Sequence, residues 1–485
     1  MTRPYGFQFD NSYTHLPEDL FSRCPLQPVK APQMVLFNQA LAGELGLDGE
    51  ALDSPAGAAI LAGNEQIDGS DPIAQAYAGH QFGNLTMLGD GRAILLGEQI
   101  TPDGARRDIQ LKGSGRTVFS RGGDGRAALG PMLREYVISE AMHGLGIPST
   151  RSLAVVRTGE SVLRETALPG AILTRVAASH LRVGTFQYAA GRQNPALLEA
   201  LVDYTLNRHY PDQQTSDNKA LALLDAVMER QLDLIVHWMR VGFIHGVLNT
   251  DNVTLSGEGI DFGPCAFMDS FDPDTVFSSI DHQGRYAYGN QPTITQWNLS
   301  RFAETLLPLI DEDVDSAIEK ATAVIKSFNQ RYSEKWLAMM KKKLGLFGDD
   351  PVDEKLITDL LEWMKTQRAD YTNTFRDITR ETFPEHRDYQ DDAFINWHQR
   401  WQVRLGRNRK PLKSSLCLMR NHNPAVIPRN HRVEDALIAA EQGDLAVTTS
   451  LLSALADPYG DRDPDDHYRQ PPAPEERVCQ TFCGT

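Results

Sequence analysis

The chain has 485 residues, of which 41% are hydrophobic and 23% charged, proportions of a folded globular protein that exclude wholesale disorder, collagen-like repetition and a membrane channel. Its 48 Lys and Arg against 64 Asp and Glu leave a formal net charge of −16, which opposes broad attraction to a phosphate backbone and argues against nucleic acid as a partner. At roughly 150 residues per domain, the length accommodates about three domain-equivalents.

The opening Met1-Thr2-Arg3-Pro4-Tyr5-Gly6-Phe7 lacks a basic head followed by an apolar run, so no secretory or transit segment is expected. The most apolar helical stretch, Leu221 to Met239, carries Asp225, Glu229, Arg230 and Asp233. That argues against a membrane span and leaves the cytoplasm as the expected compartment, with no membrane partner. Residues 1–72 read as an N-terminal extension. A Gly-rich region from Ile73 to Thr185 follows, with short β-prone runs at 92–96, 108–112, 152–157 and 171–175, the pattern of a mostly antiparallel sheet. Leu88-Gly89-Asp90-Gly91-Arg92 reads as a hairpin turn between such runs. One helical pattern interrupts them from Gly130 to Gly144, where Leu133, Val137, Ile138, Ala141 and Met142 keep helical spacing and Pro131 suits the first turn. From about Ala196 helices dominate, with periodic segments near 196–209, 219–241, 295–309, 312–346 and 352–367. A helical hairpin is expected from Glu434 to Leu455, then a loosely held Pro/Asp-rich tail from Asp457.

Five cysteines, Cys24, Cys265, Cys417, Cys479 and Cys483, are few and scattered, unlike a disulfide-stapled framework. Cys479 and Cys483 form a Cys-x-x-x-Cys pair that reads either as a redox pair or as part of an ordinary mobile tail, and no companion cluster completes a zinc set.

Chemistry concentrates after the helical segment that ends near residue 241. Phe243-Ile244-His245-Gly246-Val247-Leu248-Asn249-Thr250-Asp251-Asn252 precedes Ile260-Asp261-Phe262-Gly263, in the order of a protein-kinase catalytic loop and metal-binding loop. Mg²⁺ that bridges nucleotide phosphates takes hard oxygen ligands, which the Asn252 amide and the Asp261 carboxylate supply from adjacent loops. Upstream, Lys112 ends an extended run and Glu135 lies on the helical pattern 23 residues later, as expected for a phosphate-holding lysine oriented by a helix carboxylate. Taken singly, each also reads as an ordinary surface charge.

Two departures stand out. A kinase places its catalytic Asp where this chain has Val247, whose aliphatic side chain accepts no proton. Asp251 is the nearest carboxylate, either a base or a metal-shell or turn-capping group. The Gly-x-Gly-x-x-Gly loop is also missing. Gly89 and Gly91, and the longer stretch Lys112-Gly-Ser-Gly-Arg116 through Arg121-Gly-Gly-Asp-Gly-Arg126, stand in its place, either as an anion cradle or as bare turns. Arg92, Arg116, Arg126, Arg175 and Arg182 lie where a kinase needs none, and guanidinium forks suit phosphate oxygens. If Lys112, Arg175 and Arg182 bury the β and γ phosphates, the α-phosphate is the one presented to a nucleophile.

These residues resemble the selenoprotein O family, kinase-fold proteins described as pseudokinases that act as protein adenylyltransferases. The resemblance spans nearly the whole chain. It rests on Tyr77-Ala-Gly-His-Gln-Phe-Gly83, Leu88-Gly-Asp-Gly-Arg92, Gln110-Leu-Lys-Gly-Ser-Gly-Arg-Thr117, His245-Gly-Val-Leu-Asn-Thr-Asp-Asn252, Asp261-Phe-Gly-Pro264 and Asp281-His-Gln-Gly-Arg-Tyr286. It implies an α+β, protein-kinase-like two-lobed fold: a sheet-rich N-lobe over 73–190, a helical C-lobe over 191–346, a helical extension over 347–456 and a Cys-containing tail over 457–485. It implies ATP bound flipped relative to kinases, with AMP moved to Ser, Thr or Tyr hydroxyls of protein substrates, redox-related proteins among them. Gly89, Gly91, Arg92, Lys112, Asp124, Gly125, Arg175, Arg182 and Asp261 would bind nucleotide. Asn252 and Asp261 would bind Mg²⁺ or Mn²⁺, Asp251 would accept the proton and Glu135 would orient Lys112. Cys483 stands where animal members carry selenocysteine, and the resemblance implies a redox role in which Cys265 or Cys479 pairs with it. A nucleotide-binding pseudokinase scaffold, a conventional protein kinase and a Mn²⁺-dependent uridylyltransferase are the competing readings.

Overall fold

The structure, a computed structural model, describes residues 4–380, 383, 388–463 and 466–481. Its first strands, β1 (Phe21–Arg23) and β2 (Gln33–Phe37), precede three short helices, α1 (Gln39–Glu44), α2 (Gly49–Leu52) and α3 (Pro55–Leu61). Then come β3 (Ile73–Gln75), β4 (Ala78–Gln81), β5 (Asn84–Met87), β6 (Ala93–Ile100), β7 (Arg106–Lys112), β8 (Ala127–Ala128), helix α4 (Leu129–Gly144), β9 (Arg151–Leu163) and β10 (Ala167–Ala177). Eight strands form one sheet in the order β1-β3-β6-β7-β10-β9-β2, with β8 on β10. Its pairings are antiparallel.

Two expectations change here. The N-terminal segment is no mere extension, because β1 and β2 supply the outer strands at the two ends of the sheet order. Leu88–Arg92 does not turn between paired strands: β5 pairs with β4 in a separate ribbon, so this loop joins two sheets.

The period-2 alternation of strands decides what each face of the sheet does. In β7, Ile109 and Leu111 point to one side and join Leu153, Ile172 and Val176 in a core shared with Leu41, Leu52 and Leu61 of the short helices. Each buried aliphatic side chain there stabilises the fold by about 1.5–3 kcal/mol. Asp108, Gln110 and Lys112 therefore share the opposite face, where Asp108 reaches Arg208 and Lys112 reaches Glu135 of α4. That helix buries Leu133, Val137, Ile138 and Ala141 in the larger core.

The helical part comprises α5 (Val183–Gly191), α6 (Pro195–His209), α7 (Lys219–Val241), α8 (Gln291–Ile310), α9 (Val314–Lys326), α10 (Phe328–Lys343), α11 (Asp353–Gln367), α12 (Tyr371–Arg380), α13 (Asp392–Gly406), α14 (Leu412–Arg420), α15 (Asn430–Glu441) and α16 (Ala446–Leu455). Between α7 and α8 a ribbon of β11 (Phe243–Ile244) and β12 (Ala266–Phe267) carries the two loops with the kinase-like motifs. The single periodic segment expected over 312–346 is two helices, because Ser327 closes a tight turn onto the Val324 carbonyl through both its N–H (3.0 Å) and its hydroxyl (2.7 Å). Among the described residues no helix is long and apolar enough to cross a membrane.

The described part of the tail is tied down rather than loosely held. Buried Arg469 pairs with Asp377 at 3.2 Å, and the Thr481 hydroxyl donates to the Pro264 carbonyl at 2.5 Å, next to Asp261-Phe262-Gly263.

Candidate active site

Antiparallel register places Gln110 of β7 directly opposite Arg175 of β10, and the Gln110 Oε1 accepts from Arg175 Nη2 at 2.6 Å and Nε at 3.2 Å. Two residues further along the same face, Lys112 donates to Glu135 of α4 at 2.5 Å and to Asp261 at 2.6 Å. Arg175 Nη1 also reaches Asp261 (2.5 Å) and Glu135 (3.2 Å). Arg182, the residue just before α5, donates through Nη1 to the other Asp261 oxygen at 3.2 Å and to the Asp251 carbonyl at 3.0 Å. Three cations thus converge on one carboxylate. Burial alone would raise the Asp261 pKa, but the charges of Lys112, Arg175 and Arg182 hold it well below the usual carboxylate range. Asp261 adopts φ 61°, in the left-handed region uncommon for non-glycine residues, a strain typical of functional positions and maintained by these contacts.

Asp251 and Asn252 lie on a short turn, Thr250–Asn252. Asn252 spends its amide Nδ2 on the Val247 carbonyl at 2.7 Å, and its oxygen accepts no hydrogen bond among the described residues. The Asp251 side chain is buried, with Oδ1 unpartnered among the described residues. Burial pushes its carboxyl up to about 6. Strand β4 backs onto it: a Cβ on Gly79 would fall 2.3 Å from that same oxygen, so the strand approaches this closely only with glycine there. His245, fully buried, joins the two loops through its Nε2 to the Ile260 carbonyl at 2.8 Å.

A cleft of about 680 Å³ gathers Gly89, Gly91, Arg92, Lys112, Asp124, Gly125, Glu135, Arg175, Arg182, Asp251, Asn252 and Asp261 on its walls. Eight Lys and Arg line it against five carboxylates. Among the described residues Arg92, Arg116, Arg121 and Arg126 have no carboxylate partner, whereas Asp124 is held by Arg164 at 2.9 Å. The cysteines stand elsewhere. Cys265 is buried two residues after Gly263, Cys479 is exposed on the tail, and Cys483 lies outside the described residues.

Four further residues had no role assigned from the sequence. Gln110 is recognisable only through its spacing of two from Lys112. Tyr77 lies 4.4 Å from the Arg182 guanidinium, ring against cation. Asp90, buried, accepts from the Gln75 N–H (3.1 Å) and Gln110 Nε2 (3.2 Å), and burial pushes its carboxyl up to about 6. Arg134 of α4 donates to the carbonyls of Gly263 (3.0 Å) and Cys265 (2.8 Å) and to Glu434 and Asn430 of α15 (2.7 Å each). No motif marked it, because its partners are 129 to 300 residues away.

Comparison with known proteins places this cleft in a family context. The family model described as Protein adenylyltransferase SelO matches residues 5–456, a span that contains every residue of the cleft. A protein of Alcanivorax borkumensis named Protein nucleotidyltransferase YdiU is 70% identical over 486 residues, covering 100% of each chain. Proteins of the same name from Nitrosococcus oceani and Brevibacillus brevis are 58% and 59% identical over 481 residues, each covering 99% of this chain and 98% of the relative. The chain is accordingly an enzyme, a nucleotidyltransferase with ATP as its substrate. Similarity of this extent, carried through both the sheet and the motif loops, makes it a member of the protein adenylyltransferase SelO family.

Proposed function

We propose that the protein transfers AMP from ATP to Ser, Thr or Tyr hydroxyls of other proteins, in a cleft between a sheet-rich and a helical lobe arranged as in protein kinases. The observation that carries this reading is the cationic lining of the cleft in a chain of net charge −16, which suits a triphosphate. Lys112, Arg175 and Arg182 bind the β and γ phosphates at the buried end, with Glu135 orienting Lys112. Gly89, Gly91, Arg92, Asp124 and Gly125 hold the rest of the nucleotide, inverted relative to a kinase. The α-phosphorus then faces the acceptor.

In the reaction the acceptor oxygen forms a bond to the α-phosphorus, the bond from that phosphorus to the bridging oxygen breaks, and pyrophosphate leaves with the electron pair. Asp251 takes the hydroxyl proton. Its unpartnered Oδ1 and a pKa of about 6 suit a base that is ionised at neutral pH. Val247, on the cleft wall, offers no carboxylate for kinase-type chemistry.

The donor set fits Mg²⁺ or Mn²⁺: Asn252 has an unused amide oxygen, and Asp261 is ionised and a quarter exposed to the cleft. These two residues would hold the ion, which when bound neutralises phosphate charge.

Incubation with ATP labelled at the α or the γ position decides the reaction. Protein acceptors gain the α label under this proposal. Gain of the γ label instead identifies a conventional kinase; gain of neither from ATP, with label taken from α-labelled UTP and Mn²⁺, identifies a uridylyltransferase, and gain of none of these a nucleotide-binding scaffold.

A further inference from the structure

The ribbon of β4 and β5 turns at Phe82-Gly83, with Gln81 paired to Asn84 and positive φ at both turn residues, 50° and 87°. A two-residue turn of this kind favours Asn-Gly, since a bulky aromatic residue adopts left-handed φ only against its preference. Phe82 is nevertheless there, 36% exposed. An aromatic ring in a disfavoured conformation at an accessible tip points to a task outside folding.

The tip stands over the catalytic loop. The Phe82 N–H donates to Asn249 Oδ1 at 3.2 Å and the His80 N–H to Thr250 Oγ1 at 2.7 Å, while Gly79 of the same strand abuts Asp251. Tyr286 hydrogen-bonds Asn249 through its hydroxyl and meets Phe82 with ring centroids 5.3 Å apart. Next to it, the Arg285 guanidinium lies 4.8 Å from the Trp297 ring. The one acidic group of its own loop, Asp281, is spent on the N–H groups of Arg285 and Tyr286 at 2.9 and 2.7 Å. Among the described residues Arg285 has no carboxylate partner, although the chain is rich in acid. The ribbon and the loop also carry exposed apolar side chains: Leu85 (58%) and Met87 (49%) on β5, and Ile280 (54%) next to Asp281. Strand β5 pairs only with β4 among the described residues, leaving its outer edge open.

We propose that the β4–β5 ribbon and the Asp281–Tyr286 loop form the docking surface for the acceptor protein, seating an extended segment with an apolar side chain against Phe82 and Leu85 and an acidic one against Arg285. The inference rests on the AMP-transfer reading above and adds what selects the acceptor. Two observations say what covers the patch. A guanidinium packed against the Trp297 and Tyr286 rings, with no carboxylate partner among the described residues, calls for a carboxylate, and backbone N–H contacts tie the patch directly to the turn that holds Asp251, which the acceptor hydroxyl must reach.

The test uses the full-length protein with ATP and Mg²⁺, and two synthetic peptides carrying Ser, Thr and Tyr among leucines, one with Glu and one with Lys beside the hydroxyls. Transfer of α label is measured as kcat/KM for peptide, and ATP affinity by calorimetry. The wild type is expected to favour the Glu peptide about tenfold, Arg285→Glu to reverse that preference, and Phe82→Asn, which keeps the turn, to lower kcat/KM for both peptides about tenfold. ATP affinity stays within twofold in both variants. Peptide labelling indifferent to both substitutions overturns the docking surface alone. No label on either peptide or on intact proteins, from a wild type that still binds ATP, overturns the AMP-transfer reading and the surface with it. Conversion of a dimer to a monomer by Phe82→Asn, with peptide labelling unchanged, assigns the patch to a second copy of the chain and also overturns the proposal.

Discussion

Asp261 holds three cations in the structure, and in the proposed reaction the same carboxylate must share them with phosphate and a metal ion. Asp261→Ala is expected to lower AMP transfer at least about 100-fold, roughly 2.7 kcal/mol in the barrier, read as α-label incorporation at saturating Mg²⁺. Near-wild-type transfer would remove it from the site. Asp251→Ala should separate from it, with a kcat loss of about 10²-fold or more and little change in ATP affinity; a large affinity loss would make Asp251 a binding group instead. Gln110 acts through Arg175. Its amide oxygen faces the guanidinium and its NH₂ faces Asp90, so Gln110→Leu frees Arg175 to rotate and leaves buried Asp90 with one donor fewer. An ATP KM raised about tenfold with smaller change in kcat is the expected result, and an unaltered KM would show that Arg175 is held by its carboxylates alone.

At the scale of elements, the site depends on close approach between pieces far apart in sequence. Gly79 on β4 leaves no room for a side chain beside Asp251, so Gly79→Ala should displace that carboxylate and slow transfer at least about tenfold. Because the displaced group is the end of a side chain, thermal stability should fall by no more than about 1–2 kcal/mol. Full activity in the alanine variant would mean that the Asp251 position is not critical. Helix α4 has a second role through Arg134, which ties the Gly263 and Cys265 carbonyls to α15. Arg134→Leu removes a buried donor from two carbonyls and is expected to destabilise the protein by about 2–4 kcal/mol. Denaturant unfolding measures this, and a loss below about 0.5 kcal/mol would show the network to be replaceable by apolar packing.

For the whole molecule, acid sensitivity follows from histidines packed without charge. His180 lies against Asp108 at 3.0 Å and His209 against the Ser179 hydroxyl at 2.7 Å, and burial lowers their pKa values to about 4 and about 3. The unfolded chain binds protons on both below about pH 6.5, whereas the folded one does not until near pH 4 and below. Stability from these groups is therefore complete above pH 6.5 and declines as the pH falls from there towards 4. By linkage the loss is on the order of 1–2 kcal/mol per histidine at pH 5. Thermal unfolding at pH 7.5 and 5.0 should show a clearly lower midpoint at the acid value, and equal midpoints would contradict neutral burial of these rings.

Local pattern was enough to place the runs at 92–96, 108–112, 152–157 and 171–175 on β6, β7, β9 and β10, and to find the helix carrying Glu135 and the helices near 196–209, 219–241, 295–309 and 352–367, because alternation and helical periodicity are properties of a few adjacent residues. The pairing of Lys112 with Glu135, drawn from their order and separation, appears as a 2.5 Å contact. Other features needed the folded chain. The N-terminal strands found their places at the ends of the sheet order only through partners up to about 120 residues away, the tail was anchored by Arg469 and Thr481, and Asp90 and Arg134 took on roles that no local spacing marks. Sequence by itself determined which side chains share a face of a strand or helix, since that follows from backbone geometry; only the tertiary structure decided which faces meet, because meeting depends on contacts between segments whose distance along the chain carries no periodic signal.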